Sequence, residues 1–149
     1  MANTIRVTKL FNFEMAHALY GYDGPCKNIH GHSYQLSVTV IGKPIEDLSN
    51  PKAGMVIDFS VLKKIVEELI VKKYDHTLVL NIDSPHKELK KIDLPFERFE
   101  WVNFQPTCEK MLIYFAELIA PKLPNGIRLH HLTLKETPNS YAEWYAEDN

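Results

Sequence analysis

Three histidines near the start of the chain have the side-chain type and the spacing of an open metal site. His30 and His32 are two positions apart, so in a strand both imidazoles leave the same face. His17 ends the preceding strand-like run, where an antiparallel partner would bring it to the same place. Three imidazoles without a fourth protein ligand are typical of a catalytic zinc, which keeps one position for water or substrate. The sequence therefore predicts a Zn2+ site formed by these three residues.

A thiol stands close to the predicted metal site, because Cys26 precedes His30 by four residues. A neighbouring metal or cation lowers the pKa of a thiol from about 8.5, which would supply thiolate near neutral pH. Cys26 also suits two other roles, a fourth ligand that closes a structural zinc site or a small buried residue. The only other cysteine, Cys108, lies in a helical pattern, so a disulfide framework is not expected.

Alternating apolar residues predict the strands that would carry these groups. From Ile5 to His17 the apolar side chains occupy odd positions, and from His32 to Ile41 they occupy even positions. His17 continues the first pattern, and His30 and His32 extend the second, so all three imidazoles would point into one interior. Two further strands are predicted over residues 128–136 and 141–145.

Two amphipathic helices are predicted between these strands. Asp58 is a suitable N-cap for apolar residues at helical spacing over 61–70, and Thr107 for a second helix that Pro121 would stop. Residues 81–105 read as a long loop with a short strand at 99–104. The order predicts an α+β fold, a four-stranded antiparallel sheet with two helices on one face, in a single domain over residues 1–149.

Charge and hydropathy exclude several classes of function. The net charge is −2, with 17 basic and 19 acidic residues and no block of Lys or Arg, so neither nucleic acid nor a membrane surface is expected as a partner. Residues 1–7 contain no apolar core of a signal peptide, and no later stretch is long enough to span a bilayer. Together with the few cysteines, these features predict a cytoplasmic protein.

Five short motifs occur in one order along the chain. They are Phe13-Glu14-Met15-Ala16-His17, Cys26-x-x-x-His30-Gly31-His32, Tyr74-Asp75-His76, Pro106-Thr107-x-Glu109 and Lys135-Glu136-Thr137. Together they resemble the 6-pyruvoyltetrahydropterin synthase and 6-carboxytetrahydropterin synthase family of the tunnelling fold. The resemblance covers most of the chain and leaves out the segment 82–104.

The resemblance implies an enzyme with active sites between subunits. Trimers would close a β-barrel, two trimers would form a homohexamer, and a small-molecule pterin would be the substrate. The three histidines would hold zinc, and Cys26 would be the proton-abstracting thiol. Asp75 and His76 would be its carboxylate–imidazole partner, although a helix-end histidine next to a surface aspartate explains the same residues.

The pterin ring would be held by Glu136 and Thr107. A carboxylate accepts two parallel N–H bonds from the 2-amino-pyrimidinone edge, as it does from a guanidinium. A surface glutamate at a strand end and an ordinary N-cap threonine are the simpler readings of these two residues.

The spacing of Cys26 and His30 resembles the bacterial, carboxy-forming branch that feeds 7-deazaguanine and queuosine synthesis. Its reaction converts 7,8-dihydroneopterin triphosphate to 6-carboxy-5,6,7,8-tetrahydropterin, with release of acetaldehyde and triphosphate. The alternative is the triphosphate-lyase reaction of 6-pyruvoyltetrahydropterin synthase. A branch used in folate synthesis carries a glutamate in place of the cysteine, and no glutamate stands between Cys26 and His30. A non-catalytic, zinc-stabilised interaction domain and a cyclohydrolase of the same fold are the other hypotheses.

Overall fold

Two long strands form the centre of the fold and set the position of the predicted metal site. In the computed structural model, which describes residues 3–149, β1 runs over Ile5–His17 and β2 over His30–Gly42. They pair antiparallel along their whole length, with Ile5 opposite Gly42 and His17 opposite His30. Residues 1 and 2 of the predicted domain lie outside the described residues. The periodicity prediction for β1 is confirmed, and β2 begins two residues earlier than predicted.

Four more strands complete one mixed sheet. Their bounds are Thr77–Asn81 for β3, Phe99–Val102 for β4, Arg128–Thr137 for β5 and Ser140–Tyr145 for β6. The strand order is β4-β3-β1-β2-β5-β6. β1, β2, β5 and β6 pair antiparallel, as predicted, whereas β3 pairs parallel with both β1 and β4.

The helices begin where the sequence places their N-caps. α1 spans Phe59–Val66 and continues through a π-helical segment, Glu67–Val71, into the short α2, Lys72–Tyr74. α3 spans Cys108–Ile119, just before Pro121. The side chain of Asp58 accepts a hydrogen bond from the Ser60 N–H at 2.8 Å, and Thr107 accepts from the Lys110 N–H at 3.3 Å.

The helices pack on one face of the sheet and enclose the main core. Inward side chains of the sheet, including Phe13, Tyr34 and Leu134, share a buried cluster with Leu62 of α1 and Phe115 of α3. A smaller cluster on the opposite face joins the edge of the sheet to the segment after β3. Its members are Ala18, Leu78 and Leu80, with Leu89, Phe99 and Trp101 packed against them.

The sheet therefore differs from the predicted four-stranded antiparallel sheet, because it has six strands and two of its pairings are parallel. β4 lies within the predicted short strand, but β3 was not predicted. Residues 77–80 are all buried and residues 78–80 are apolar, so β3 lacks the alternation that marks a half-exposed strand. Within residues 3–149, no helix is both long and apolar enough to cross a membrane.

Candidate metal centre and catalytic groups

His17, His30 and His32 meet at one end of the β1–β2 pair. One ligand atom from each residue lies within 4.8 Å of the others. The ring centroids are 4.5 Å apart for His17 and His30, 5.4 Å for His17 and His32, and 5.1 Å for His30 and His32. Gly31 keeps the strands close at this point, since a Cβ there would lie 3.3 Å from the Met15 carbonyl oxygen. The predicted convergence of the three imidazoles is confirmed.

Backbone carbonyls fix the orientation of two of the rings. Nδ1 of His17 donates to the Pro106 carbonyl at 2.7 Å, and Nδ1 of His30 donates to the Asn28 carbonyl at 2.8 Å. A carbonyl oxygen only accepts, so Nδ1 carries the proton in both neutral rings and Nε2 keeps its lone pair. The two Nε2 atoms face each other at 3.0 Å. Two lone pairs at this distance repel unless a cation lies between them.

This arrangement fits a metal ion. Imidazole ligands of metals usually donate their second N–H to a carbonyl or carboxylate, as His17 and His30 do here. His17 is only 2% exposed, and burial, with its two imidazole neighbours, lowers its pKa although Pro106 and Glu136 oppose the shift. The neutral, ligating form of His17 is therefore favoured. An all-imidazole set suits zinc and also other divalent transition ions.

Cys26 lies beside this centre in sequence but outside the group of ligand atoms. It is half-buried in a 3-10 turn, Pro25–Lys27, and its carbonyl accepts from the Leu19 N–H at 3.0 Å. Among residues 3–149, the cluster that could hold a metal contains the three histidines and not the Cys26 thiol. The geometry thus favours an open three-imidazole site over one closed by a thiolate.

Asp75 and His76 form the predicted carboxylate–imidazole pair. Asp75 Oδ2 lies 3.0 Å from His76 Nδ1, and Asp75 Oδ1 accepts from the Glu14 N–H at 2.8 Å. The hydrogen bond from the Glu14 N–H holds the pKa of Asp75 below its ordinary value, and the contact with His76 adds a smaller lowering. The carboxylate therefore stays charged at neutral pH and fixes the tautomer of His76, in which Nδ1 carries a proton.

The pair makes no direct contact with the metal centre in the described part of its own chain. His76 lines a cavity of about 480 Å³ together with Glu14, Ser33 and Arg98, and His32 of the histidine cluster lines the same cavity. Within residues 3–149, no hydrogen bond or ion pair connects Asp75 or His76 to the three histidines. One chain therefore brings three imidazoles together but not the whole predicted set.

Glu136, in contrast, lies next to the metal centre. Its Oε1 is 3.9 Å from His17 Nε2 and accepts a hydrogen bond from the Tyr34 hydroxyl at 3.3 Å. Because burial lowers the pKa of His17, the Glu136 carboxylate lies beside a neutral ring, and the two groups do not form a salt bridge. Glu136 and His32 also line one cavity of about 620 Å³, so the carboxylate can meet a molecule bound near the imidazoles.

Thr107 is connected to the metal centre through the preceding residue, Pro106. Its hydroxyl caps α3, and the preceding residue, Pro106, supplies the carbonyl that holds His17. Glu109 lies in the first turn of α3, where the helix dipole favours an acidic side chain. The N-terminus of α3 is thus attached to the metal centre by the His17–Pro106 hydrogen bond.

The sequence profile of the 6-pyruvoyl tetrahydropterin synthase family matches residues 6–147. The chain belongs to this family. A Haemophilus influenzae protein named 6-carboxy-5,6,7,8-tetrahydropterin synthase is 33% identical over 143 residues, which cover 93% of this chain and 97% of that protein. A Synechocystis protein of the same name is 31% identical over 129 residues, covering 78% of this chain and 98% of its own length.

Solved structures share the fold of this family member. Caenorhabditis elegans 6-pyruvoyl tetrahydropterin synthase is 25% identical and superimposes with a TM-score of 0.69, covering 97% of both chains. An uncharacterized protein from Wolinella succinogenes gives a TM-score of 0.74 at 21% identity, covering 97% of this chain and 99% of its own. The second likeness concerns the fold alone.

Four contributors to the site were missed by sequence reasoning. They are the Pro106 carbonyl at His17, the Asn28 carbonyl at His30, the Tyr34 hydroxyl at Glu136, and Arg98, which contacts the backbone around Asp75. Tyr34 shares the parity of His30 and His32, so the alternation in β2 already placed it on the same face. Burial and Glu136 raise the pKa of Tyr34 far above its ordinary value, which keeps the hydroxyl protonated as a donor. For Pro106 and Arg98 the sequence holds no comparable signal.

Proposed function

We propose that this chain is a zinc-dependent 6-carboxy-5,6,7,8-tetrahydropterin synthase of the 7-deazaguanine and queuosine pathway. Its substrate would be 7,8-dihydroneopterin triphosphate, and with water the products would be 6-carboxy-5,6,7,8-tetrahydropterin, acetaldehyde and triphosphate. The observation that carries the proposal is the pair of Nε2 atoms of His17 and His30, 3.0 Å apart, in a three-histidine cluster beside Glu136. The name of the 33% identical Haemophilus influenzae relative supports the choice of reaction.

His17, His30 and His32 would hold the metal, with Pro106 and Asn28 fixing two of the rings. When bound, zinc supplies Lewis acidity that makes hydroxyls and adjacent C–H groups of a side chain easier to deprotonate. Glu136 would accept two N–H bonds from the amino-pyrimidinone edge of the pterin, while the Tyr34 hydroxyl donates to its Oε1 and holds the carboxylate in place. Thr107 would add a hydroxyl from the start of α3.

Two groups would move protons. Cys26, which is half-buried, would take a proton from the substrate side chain as thiolate. His76 would give or take further protons, with Asp75 stabilising its charged form through the 3.0 Å contact. Transfer of protons between the side chain and the pterin ring accounts for the internal redox change, so no nicotinamide is required.

Assembly completes the proposal. We infer a single tunnelling-fold domain over residues 1–149 that forms a homohexamer, two trimers each closing a β-barrel in the cytoplasm. Two features of the described chain support shared sites. β4 and β6 are edge strands with unpaired backbone groups, and the Asp75–His76 pair does not contact the imidazoles of its own chain. A neighbouring subunit would then bring its own Asp75–His76 pair to each metal centre.

Turnover tests the reaction directly. The purified protein, loaded with zinc, is incubated anaerobically with 7,8-dihydroneopterin triphosphate, and the pterin products and acetaldehyde are quantified. Equal amounts of 6-carboxytetrahydropterin and acetaldehyde are expected. Triphosphate release without acetaldehyde would identify the pyruvoyl-forming reaction instead. A protein that binds zinc but turns over no pterin triphosphate would favour the zinc-stabilised interaction domain.

Mixing of impaired subunits tests the shared site. Cys26→Ala and His76→Ala chains should each retain only low residual activity, but their mixed oligomers pair an intact Cys26 with an intact His76 of the neighbour. With equal, random mixing about a quarter of the sites should recover, because each interface joins two independently chosen chains. No recovery in verified mixed oligomers, or an active monomer in sedimentation, would refute sharing.

A further inference from the structure

Arg98 contacts the backbone on both sides of His76. One guanidinium nitrogen, Nη2, donates to the carbonyls of Lys72 at 2.9 Å, Lys73 at 3.4 Å and Asp75 at 3.0 Å. The Arg98 carbonyl in turn accepts from the Leu78 N–H at 3.0 Å. One residue thus holds the chain before and after His76. It comes from the segment 82–104, which the family motifs do not cover.

These contacts act on a turn that needs support. The last carbonyls of a helix have no intrahelical partner, and a cation satisfies both their hydrogen-bonding capacity and the helix dipole. His76 is the only non-glycine residue of positive φ in residues 3–149, at 56°. A side chain in this left-handed region is strained and persists only where the surroundings hold it.

β1 holds the same turn from the other side. The His76 N–H donates to the Glu14 carbonyl at 2.5 Å, and the Asp75 carboxylate accepts from the Glu14 N–H at 2.8 Å. Main-chain contacts to β1 therefore fix the side of the turn that faces the sheet centre. Arg98 holds the carbonyl side, where the Thr77 hydroxyl also donates to the carbonyls of Lys73 at 3.0 Å and Asp75 at 3.3 Å. The Lys72 carbonyl accepts from Arg98 and not from Thr77.

We propose that Arg98 is a positioning residue that orients the Asp75–His76 pair through the carbonyls of its turn. The inference rests on the proposed function, since that function makes His76 a proton-transfer group. Arg98 also lines the cavity that His76 faces, so direct contact between its charge and an anionic substrate is the competing role. The engagement of Nη2 by three carbonyls favours positioning.

Three variants test the proposal in the zinc-loaded oligomer. Arg98→Met removes every donor and keeps a side chain of similar length, and Lys87→Met is the matched control, an exposed cation in the same segment. Arg98→Lys retains a cation that can reach some of the carbonyls. Steady-state kinetics with the pterin triphosphate are measured alongside hydrogen exchange of the His76 amide by NMR, a readout that does not depend on activity.

Arg98→Met should lower kcat at least about tenfold with little change in KM, because a displacement of about 1 Å at a catalytic group can cost a hundredfold. The His76 amide should exchange at least about tenfold faster. Arg98→Lys should recover part of the kcat and part of the protection of the His76 amide. Lys87→Met should change neither kcat nor the exchange rate of that amide. In a His76→Ala background, Arg98→Met should cause no further loss, since its effect passes through His76.

Other results overturn the proposal. A raised KM with kcat retained, or an additive loss in the His76→Ala background, would assign Arg98 to substrate contact. Unchanged kcat in Arg98→Met, or a lower kcat with unchanged His76 exchange, would also refute positioning. If Arg98→Met does not fold, Arg98→Lys decides, because kcat and His76 protection must then fall together. If the wild type turns over no pterin triphosphate, the proposed function fails, while the exchange data still decide whether Arg98 holds the turn.

Discussion

Removal of one imidazole should abolish a metal-dependent part of the stability. In His30→Ala the site keeps two imidazoles and loses the Nε2 that faces His17 at 3.0 Å. His30 is the suitable choice because it is half-exposed, whereas His17 is buried and its loss would disturb packing. We expect the wild type to carry about one zinc per chain and the variant to lose it, together with turnover.

The size of the effect follows from linkage between binding and folding. Free zinc at 100 times its dissociation constant stabilises the folded state by about 2.7 kcal/mol. For a domain of this size that is about 5–11 °C in Tm. Loss of a ligand weakens binding at least as much as loss of an outer contact, about hundredfold, which leaves about 0.4 kcal/mol at the same zinc concentration.

Without metal the order of stability should change. The two Nε2 lone pairs repel in the zinc-free wild type, and His30→Ala removes this repulsion at a half-exposed position. The zinc-free variant should therefore unfold at the same temperature as the zinc-free wild type or slightly above it.

Thermal unfolding with and without zinc, and metal analysis of the purified chains, measure these effects. His131→Ala is the matched control, because His131 is also half-exposed but lies outside the cluster, 3.1 Å from Glu143. The control should keep its zinc and the full shift in Tm. A wild type whose Tm does not respond to zinc, or His30→Ala with full zinc content, would refute the metal-centre reasoning.

Three further predictions concern the groups around the metal. Cys26→Ala should keep zinc and its effect on Tm but lose at least about a hundredfold in kcat; loss of zinc would instead make Cys26 a fourth ligand. Glu136→Gln should weaken pterin binding about tenfold to hundredfold in calorimetry, with zinc content unchanged, because a charge-assisted hydrogen bond is lost; unchanged affinity would contradict the anchor role. The folded pKa of Asp75 is lowered, so its contribution to stability is present above its unfolded pKa and lost as pH falls through the folded value. Urea unfolding of Asp75→Asn should accordingly depend less on pH below about pH 4 than the wild type does.

The local features of the sequence predicted much of the fold. Strand alternation placed β1 correctly and assigned His17, His30 and His32 to one face, and both N-caps, Asp58 and Thr107, are used as predicted. Such features depend on residues only a few positions apart. The period of a strand and the needs of a helix end are therefore legible without knowledge of the partner.

The incorrect part of the fold prediction involved pairing over long distances. β3 is a short run buried on both faces, and its parallel partners are β1, more than fifty positions earlier, and β4, about twenty positions later. Pairing with these distant strands produces no periodic pattern in the sequence of residues 77–81. For the same reason residues 82–98 were predicted to be a loop, although Arg98 holds the turn before β3.

For the candidate site, the sequence by itself determined that three imidazoles meet, through the parity of two strands. The motifs also named Cys26, Glu136 and the Asp75–His76 pair, whose roles stay predictions. Only the tertiary structure decided how each group is held. It placed the Pro106 carbonyl against His17 from 89 positions away, put Glu136 beside that ring, and gave His76 no hydrogen bond to the three imidazoles within residues 3–149. These contacts depend on how packed elements meet in space, and no short stretch of sequence encodes that geometry.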